Sequence, residues 1–196
     1  MAHKHKGNKG TSLSPQFPEL LRCDILIVGG GPAGMAAAIS AKRSNAELEV
    51  VLLEKNEVMG RKLRATGNGR CNITNVKANG FGEVIKFLSS LGIVTKTNDN
   101  GFLYPVSESA ADVSDMLELR LKQLGVKVYK GVPVEGITRN NDEQVFEILV
   151  NKLDEAYSYN HTVKSTAVIV AVGGKSAPVY GSTGDGYKWL REFGHT

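Results

Sequence analysis

The sequence predicts an α/β fold centred on a parallel sheet. Three observations predict it. Ile25, Leu26, Ile27 and Val28 form a short, unbroken apolar run, the pattern of a strand buried on both faces. Gly29, Gly31 and Gly34 follow at the G-x-G-x-x-G spacing and open an alanine-rich helix from about Pro32 to Ser44. A second apolar run, Leu48 to Leu53, ends in Glu54, which stands 20 residues after Gly34 (54 − 34 = 20). Strand, glycine turn, helix, strand and acid at that distance make a Rossmann-like dinucleotide-binding unit.

Each glycine has its own reason. Gly29 lets the chain turn sharply, Gly31 leaves room for a pyrophosphate to approach the backbone, and Gly34 lets the helix sit close to the strand. Pro32 falls in the first helical turn, where its missing N–H is no loss. The helix N-terminus favours an anion through its free amides and its dipole. The Glu54 carboxylate is placed to accept from a ribose hydroxyl.

At 196 residues the chain suits one domain or slightly more. Its hydrophobic fraction of 41% and charged fraction of 22% are those of a globular protein. No apolar run approaches the roughly 20 residues of a membrane span, so no membrane partner is expected. Part of the net charge of +4 sits in the tail, so it is poor evidence for nucleic-acid binding, and the expected partner is a small-molecule substrate rather than a nucleic acid. Residues 1–22 read as a basic, disordered tail and 23–196 as the folded domain. The tail lacks the apolar segment of a secretory signal. His3 and His5 are read as solvated tail residues, and no metal site is expected. Cys23 and Cys71 have neither disulfide-framework nor zinc-site spacing, which places the protein in a reducing cytoplasm. Cys23 itself reads as a small buried hydrophobe.

After Glu54, the stretch Met59 to Asn72 carries Gly60, Gly67 and Gly69 with four cations, Arg61, Lys62, Arg64 and Arg70, and no acid. Such a loop wraps an anion with N–H groups and neutralises it with side chains, at the mouth of the same site. Phe81, Val84, Ile85 and Leu88 predict a helix over 80–91 ending at Gly92. Asn98 to Gly101 is a turn, followed by a short strand, Phe102 to Tyr104, stopped by Pro105. Ser109 caps a helix over Val113, Leu117, Leu121 and Leu124, closed by Gly125. Four short strands follow, at 126–129, 132–137, 145–150 and 157–163, with turns at Asn140–Asp142 and Asp154–Glu155, and read as an antiparallel meander. A second buried parallel strand is expected over 167–172, then Gly173-Gly174, then the glycine-rich segment 181–186 leading into a helix over 187–193.

GGGPAG with Glu54, GRKLRATGNGRCNITN, FLYPVSESAADV and AVGGKSAPVYGSTGDGY together resemble the BaiN-type, aminoacetone-oxidase-like family of NAD(P)/FAD-dependent oxidoreductases. The match covers about Cys23 to Thr196. The resemblance implies a glutathione-reductase-type FAD domain with a β-meander crossover. It implies FAD contacts at Gly29, Gly31, Pro32, Ala33 and Gly34 for the pyrophosphate, with Glu54 on the adenosine ribose and Lys55 beside it. Gly60, Arg61, Lys62, Gly67, Asn68, Gly69, Arg70 and Cys71 would line the pyrophosphate and flavin side. Val134 would meet the adenine edge through its backbone. Ala171, Gly173 and Gly174 would stand where such flavoproteins carry an Ala-Thr-Gly turn, with Val172 in place of the threonine. Family members are longer, with an inserted substrate-side domain and a return to the flavin, so the chain reads as the first half of such a protein.

The expected function is therefore hydride transfer through the flavin from NAD(P)H to an organic acceptor, with the redox chemistry supplied by the cofactor. The alternative is a nucleotide-binding module without turnover. A plain NAD dehydrogenase is disfavoured, because the glycine–arginine loop and the meander replace the second βαβ half. Arg61, Lys62 or the N–H groups of Gly67–Gly69 are candidates to stabilise negative charge on a reduced flavin. No catalytic proton donor is assigned. His161 reads as an exposed histidine in a meander turn, and Cys71 as a packing residue rather than a redox thiol. The outer edge of the 167–172 strand is expected to be unpaired and open to self-association.

Overall fold

Strand β1 (Leu20–Val28) runs through the middle of a six-stranded sheet. The computed structural model describes residues 17–18, 20–153 and 158–196. His3, His5 and the expected turn at Asp154–Glu155 lie outside them. Helix α1 (Pro32–Ser44) and β2 (Val50–Glu54) complete the first βαβ unit, with β1 and β2 parallel in register Ile25↔Val50 to Val28↔Leu53. The sequence then gives α2 (Arg61–Arg64), β3 (Thr74–Asn75), α3 (Phe81–Ser90), β4 (Thr95–Thr97), β5 (Phe102–Pro105) and α4 (Ala110–Gln123). Ser109 caps α4 as expected, its Oγ accepting from the Asp112 N–H at 3.1 Å. Strands β3, β5 and β4 form a small separate antiparallel sheet.

Strands β6 (Lys127–Lys130), β7 (Val134–Asn140), β8 (Val145–Leu153) and β9 (Ser158–Val170) precede the last helix, α5 (Asp185–Glu192). The large sheet has the order β6-β2-β1-β9-β8-β7.

Three expectations need correction. The ordered chain begins before Cys23: Leu20 to Cys23 already pair with β9, and Phe17 and Leu21 are buried. Polar Arg22 and Asp24 interrupt the apolar run there and hide the strand. The strand at 126–129 does not belong to the meander. As β6 it pairs parallel with β2, and Val128 and Tyr129 pack into opposite clusters, as a strand covered on both faces requires. The strands expected at 157–163 and 167–172 are one strand of 13 residues. Its first half pairs antiparallel with β8 up to Phe146↔Ser165, and β9 pairs parallel with β1 to its end.

The core has two parts, one on each face of the sheet. Ile27, Val50 and Leu52 meet α1, α4 and the Leu88–Ile93 segment. Leu26, Val28, Val51 and Leu53 meet Ile137, Ile148, Val150, Val163 and Trp189 of α5. Leu21 and Cys23 share the second cluster with Leu26 and Val28, so the alternation of β1 breaks at Asp24. Its partner β9 breaks at the same level, between Ser165 and Ala167. The Ser165 hydroxyl lies 3.3 Å from the Asp24 carbonyl and 2.8 Å from the Ala167 carbonyl there.

Close packing of α1 on β1 depends on Gly34. A Cβ at this position would lie 1.9 Å from the Gly29 carbonyl oxygen, a contact only a shift of the helix relieves. Gly34→Ala is expected to destabilise the fold by about 1–3 kcal/mol or more, as overpacked core sites do. Urea unfolding of the two proteins checks this.

Candidate functional site

The C-terminal ends of β1, β2 and β9 open into one cleft of about 550 Å³. This is where a ligand lies in doubly wound α/β folds. The strand ends supply apolar walls, Val28, Leu53 and Val170, joined by Val132, Val134 and Trp189. The cleft gathers Gly29, Gly31, Pro32, Ala33, Glu54, Lys55, Gly60, Arg61, Lys62, Val134, Ala171 and Gly173 from the residues the sequence singles out.

The three glycines of the turn separate by role. Gly29 has φ +109°, and a Cβ there would lie 2.6 Å from the Ala171 carbonyl oxygen. Gly34 is the packing contact described above. Gly31 differs from both: its φ is −77°, open to any residue, and a Cβ built on it meets no heavy atom within 4 Å. Neither backbone conformation nor internal packing demands a glycine there, and the free space lies at the start of α1, on the cleft.

Glu54 ends β2 almost buried, at 9% exposure. Its Oε2 accepts from the Gly30 N–H at 2.7 Å. Its Oε1 accepts from the Asn56 N–H at 2.8 Å and from Asn56 Nδ2 at 2.5 Å. The acid therefore clamps the glycine turn as well as facing the cleft. Gly60 N–H donates to the Gly30 carbonyl at 2.9 Å and ties the basic stretch to the same turn.

The cations of that stretch divide. Arg61 donates to Asn56 Oδ1 at 2.7 Å and to the Val179 carbonyl at 3.1 Å, and Lys62 donates to the Ser176 carbonyl at 3.0 Å. Lys55 donates to Thr183 Oγ1 at 2.7 Å and pairs with Asp185 at 2.9 Å. These three therefore hold the segment 176–185 beside the cleft. Arg64 turns away, to Asp115 and Glu118 of α4. Arg70 lies over the Tyr104 ring, 5.3 Å from its centroid.

The structure does not bring Gly34, Gly67, Asn68, Gly69, Arg70, Cys71 or Gly174 into the lining of this cleft. Gly34 is buried within α1 against the Gly29 carbonyl, and Gly174 neighbours Tyr187. The stretch 66–69 forms a short 3₁₀ turn with Gly67 and Asn68 in left-handed conformations. It continues to Cys71, which is buried with α1 and α4 in the first core cluster. Burial pushes both the Cys71 and Cys23 thiols up, so neither is an activated thiol. His161 lies within β9, paired with Val150, its ring edge-on to Phe17, and not in a turn. Its half-buried place follows from the continuity of β9.

Asn56, Ser182, Asp185 and Trp189 line the cleft without having been assigned to it. The sequence held a signal for two of them, since Ser182 and Asp185 belong to the glycine-rich segment 181–186. Asn56 and Trp189 carry no such signal.

The glycine turn, the helix start aimed at open space and the acid at the end of the second strand define an α/β protein of the Rossmann-like nucleotide-binding class. Residues 23–81 and 77–196 match the HI0933-like protein Rossmann domain, and the chain belongs to that family. It is 37% identical over 191 residues to the 3-dehydro-bile acid delta(4,6)-reductase of Clostridium scindens, covering 88% of this chain and 44% of that protein. It is 27% identical over 192 residues to the ribosomal RNA dihydrouridine synthase of Escherichia coli, covering 88% of this chain and 45% of that protein. The chain thus spans under half the length of these two relatives. The fold is shared with a flavocytochrome c3 fumarate reductase at a TM-score of 0.65 and 19% identity, over 88% of this chain and 40% of that one. Among the described residues, no helix is long and apolar enough to cross a membrane.

Asp185 gives the site a pH dependence. Burial pushes its carboxyl upward, but the Lys55 ammonium and the Thr183 hydroxyl outweigh this and hold it below the usual range. A depressed carboxyl contributes stability above its unfolded value, about 3.9, that is lost as pH falls through the folded value. Asp185→Asn is expected to be less stable than the parent at pH 7 by under about 1 kcal/mol, as befits a half-exposed pair. The gap should narrow below about pH 4. Urea titrations across that range measure it.

Proposed function

We propose that the chain holds FAD in a flavin-dependent oxidoreductase that passes hydride from NAD(P)H to a small organic acceptor. Gly31 carries the reading: a residue that neither conformation nor packing requires to be glycine leaves open space at a helix N-terminus beside a ribose-binding acid. Bound flavin supplies the hydride chemistry. The chain's own residues supply the binding. The free amides of the first turn of α1 face a diphosphate, and the helix dipole adds to the attraction. Glu54 accepts from the adenosine ribose. Arg61 and Lys62 reach the diphosphate by exchanging backbone carbonyls of 176–179 for phosphate oxygens, a stronger, charge-assisted partner. Val134 and the apolar walls take the adenine.

The reductase that the chain resembles at 37% identity supports the reaction class. Because the chain spans under half of its relatives, turnover is proposed for the longer architecture, and the described residues are proposed to hold the cofactor. Two free, buried cysteines suit the reducing cytoplasm in which we place it.

Gly31→Ala tests the reading. Alanine adopts the observed backbone, and as a helix N-cap it is expected to change stability by less than about 1 kcal/mol. It should weaken FAD binding by at least about tenfold, since its methyl occupies the approach to the backbone. Ligand released by heat from the parent should be FAD by mass and absorbance. Recovery of NAD without flavin, or unchanged FAD affinity in the variant, would overturn the assignment.

Self-association is part of the same proposal. Beyond Ser165, the edge of β9 away from β1 has no partner strand among the described residues, and Ile169 on it is 38% exposed. Such an edge pairs with a second copy. Light scattering should show dimers or larger species, reduced by Ile169→Lys. A monomeric parent would refute the association and leave the FAD assignment standing.

A further inference from the structure

Asn56 sits between the two charged groups of the cleft. Its Nδ2 donates to Glu54 Oε1 at 2.5 Å, and its Oδ1 accepts from Arg61 Nη1 at 2.7 Å. The orientation of the amide is forced. A guanidinium only donates and a carboxylate only accepts, so the flipped amide would face like with like on both sides. Only a side chain with a donor and an acceptor at this length joins the two. Aspartate lacks the donor, leucine lacks both, and glutamine is one methylene longer.

The residue is also held in place. Its backbone N–H donates to Glu54 Oε1 at 2.8 Å, and its carbonyl accepts from the Gly131 N–H at 3.2 Å. On the other side Gly181, with φ +101°, lets the glycine-rich segment close over the amide. A Cβ there would lie 2.9 Å from Asn56 Nδ2.

The count of acceptor directions on Glu54 has a consequence. A carboxylate oxygen offers about two. Asn56 takes both on Oε1, through its backbone and its side chain, and the Gly30 N–H takes one on Oε2. One acceptor direction remains. We propose that Asn56 is a positioning residue that limits Glu54 to a single ribose hydroxyl and ties that recognition to Arg61, so that the ribose acid and the diphosphate cation act as one preorganised unit. This rests on the dinucleotide reading above.

The test is the binding of ADP, 2′-deoxy-ADP and 3′-deoxy-ADP to the whole chain by calorimetry. The parent should be asymmetric. Loss of one hydroxyl weakens binding by about 10- to 150-fold, the factor set by one charge-assisted hydrogen bond. Loss of the other leaves the affinity near that of ADP. In Asn56→Leu, Oε1 regains a free direction, and the ratio between the two deoxy analogues should move toward one. Asn56→Asp keeps the shape and the Arg61 contact but sets a carboxylate against Glu54, and carries the same expectation if the leucine variant does not fold. A merely structural role would weaken all three ligands equally and keep the asymmetry. An unchanged ratio in a folded variant, or a symmetric parent, overturns the proposal while the nucleotide site stands. A parent that binds none of the three overturns the dinucleotide reading and this proposal with it.

Discussion

Three stretches of backbone meet at the top of the central strand, and the site depends on that meeting. Gly29 turns the chain out of β1 against the Ala171 carbonyl, and Gly34 presses α1 onto the Gly29 carbonyl. Side chains at either position would hold the helix away from the sheet. With the helix in contact, its first turn and the ends of β1, β2 and β9 share one opening. The Gly30 N–H then points at Glu54, at 2.7 Å, and the acid holds the turn that the glycines permit. Turn and acid define each other. Glu54 therefore clamps the turn while lining the cleft, and its removal would disturb more than one contact.

The cations around the cleft show a related economy. Arg61, Lys62 and Lys55 all contact the segment 176–185, through carbonyls at 176 and 179, a hydroxyl and a carboxylate. Exposed pairs of this kind add little stability. Their effect is positional: a glycine-rich segment far along the chain is drawn to the end of β2. Arg64, one helical turn on from Gly60, is instead committed to α4 by Asp115 and Glu118. Four neighbouring cations in the sequence thus divide between a site, a helix contact and, for Arg70, an aromatic face.

Much of this was legible in the sequence where spacing and chemistry agree. The first βαβ unit was, because G-x-G-x-x-G between two apolar runs has few other uses, and α1 spans the expected Pro32–Ser44. The Ser109 cap and the leucine stripe of α4 were, because both are local signals. The fate of residues 67–71 was not. A glycine–arginine stretch after β2 reads as a phosphate wrap, but only its beginning, Gly60 to Lys62, faces the cleft. Cys71 is drawn into the core by its burial against α1 and α4, a tertiary effect with no local mark. The place of strand β6 is hidden for a similar reason. A four-residue strand shows no preference for parallel or antiparallel partners, and its place beside β2 is decided by the chain that precedes it. Asn56 was invisible as a site residue because its role exists only once Glu54 and Arg61 are neighbours.

Strand β9 joins these themes. Its first half pairs antiparallel with β8 and its second half only with β1, and both β1 and β9 change face, with their register kept, at Asp24 and between Ser165 and Ala167. The second half has β1 on one side and, among the described residues, an open edge on the other, and it runs directly into Ala171 and Gly173 of the cleft. The Ala171 N–H is held by the Val28 carbonyl at 2.8 Å, so the rim is anchored on the β1 side alone among the described residues. A strand that added to the open edge would therefore act on the cleft through the same few residues that receive Gly29. The contacts that position the glycine turn thus lie at the end of the strand whose far edge has no partner among the described residues.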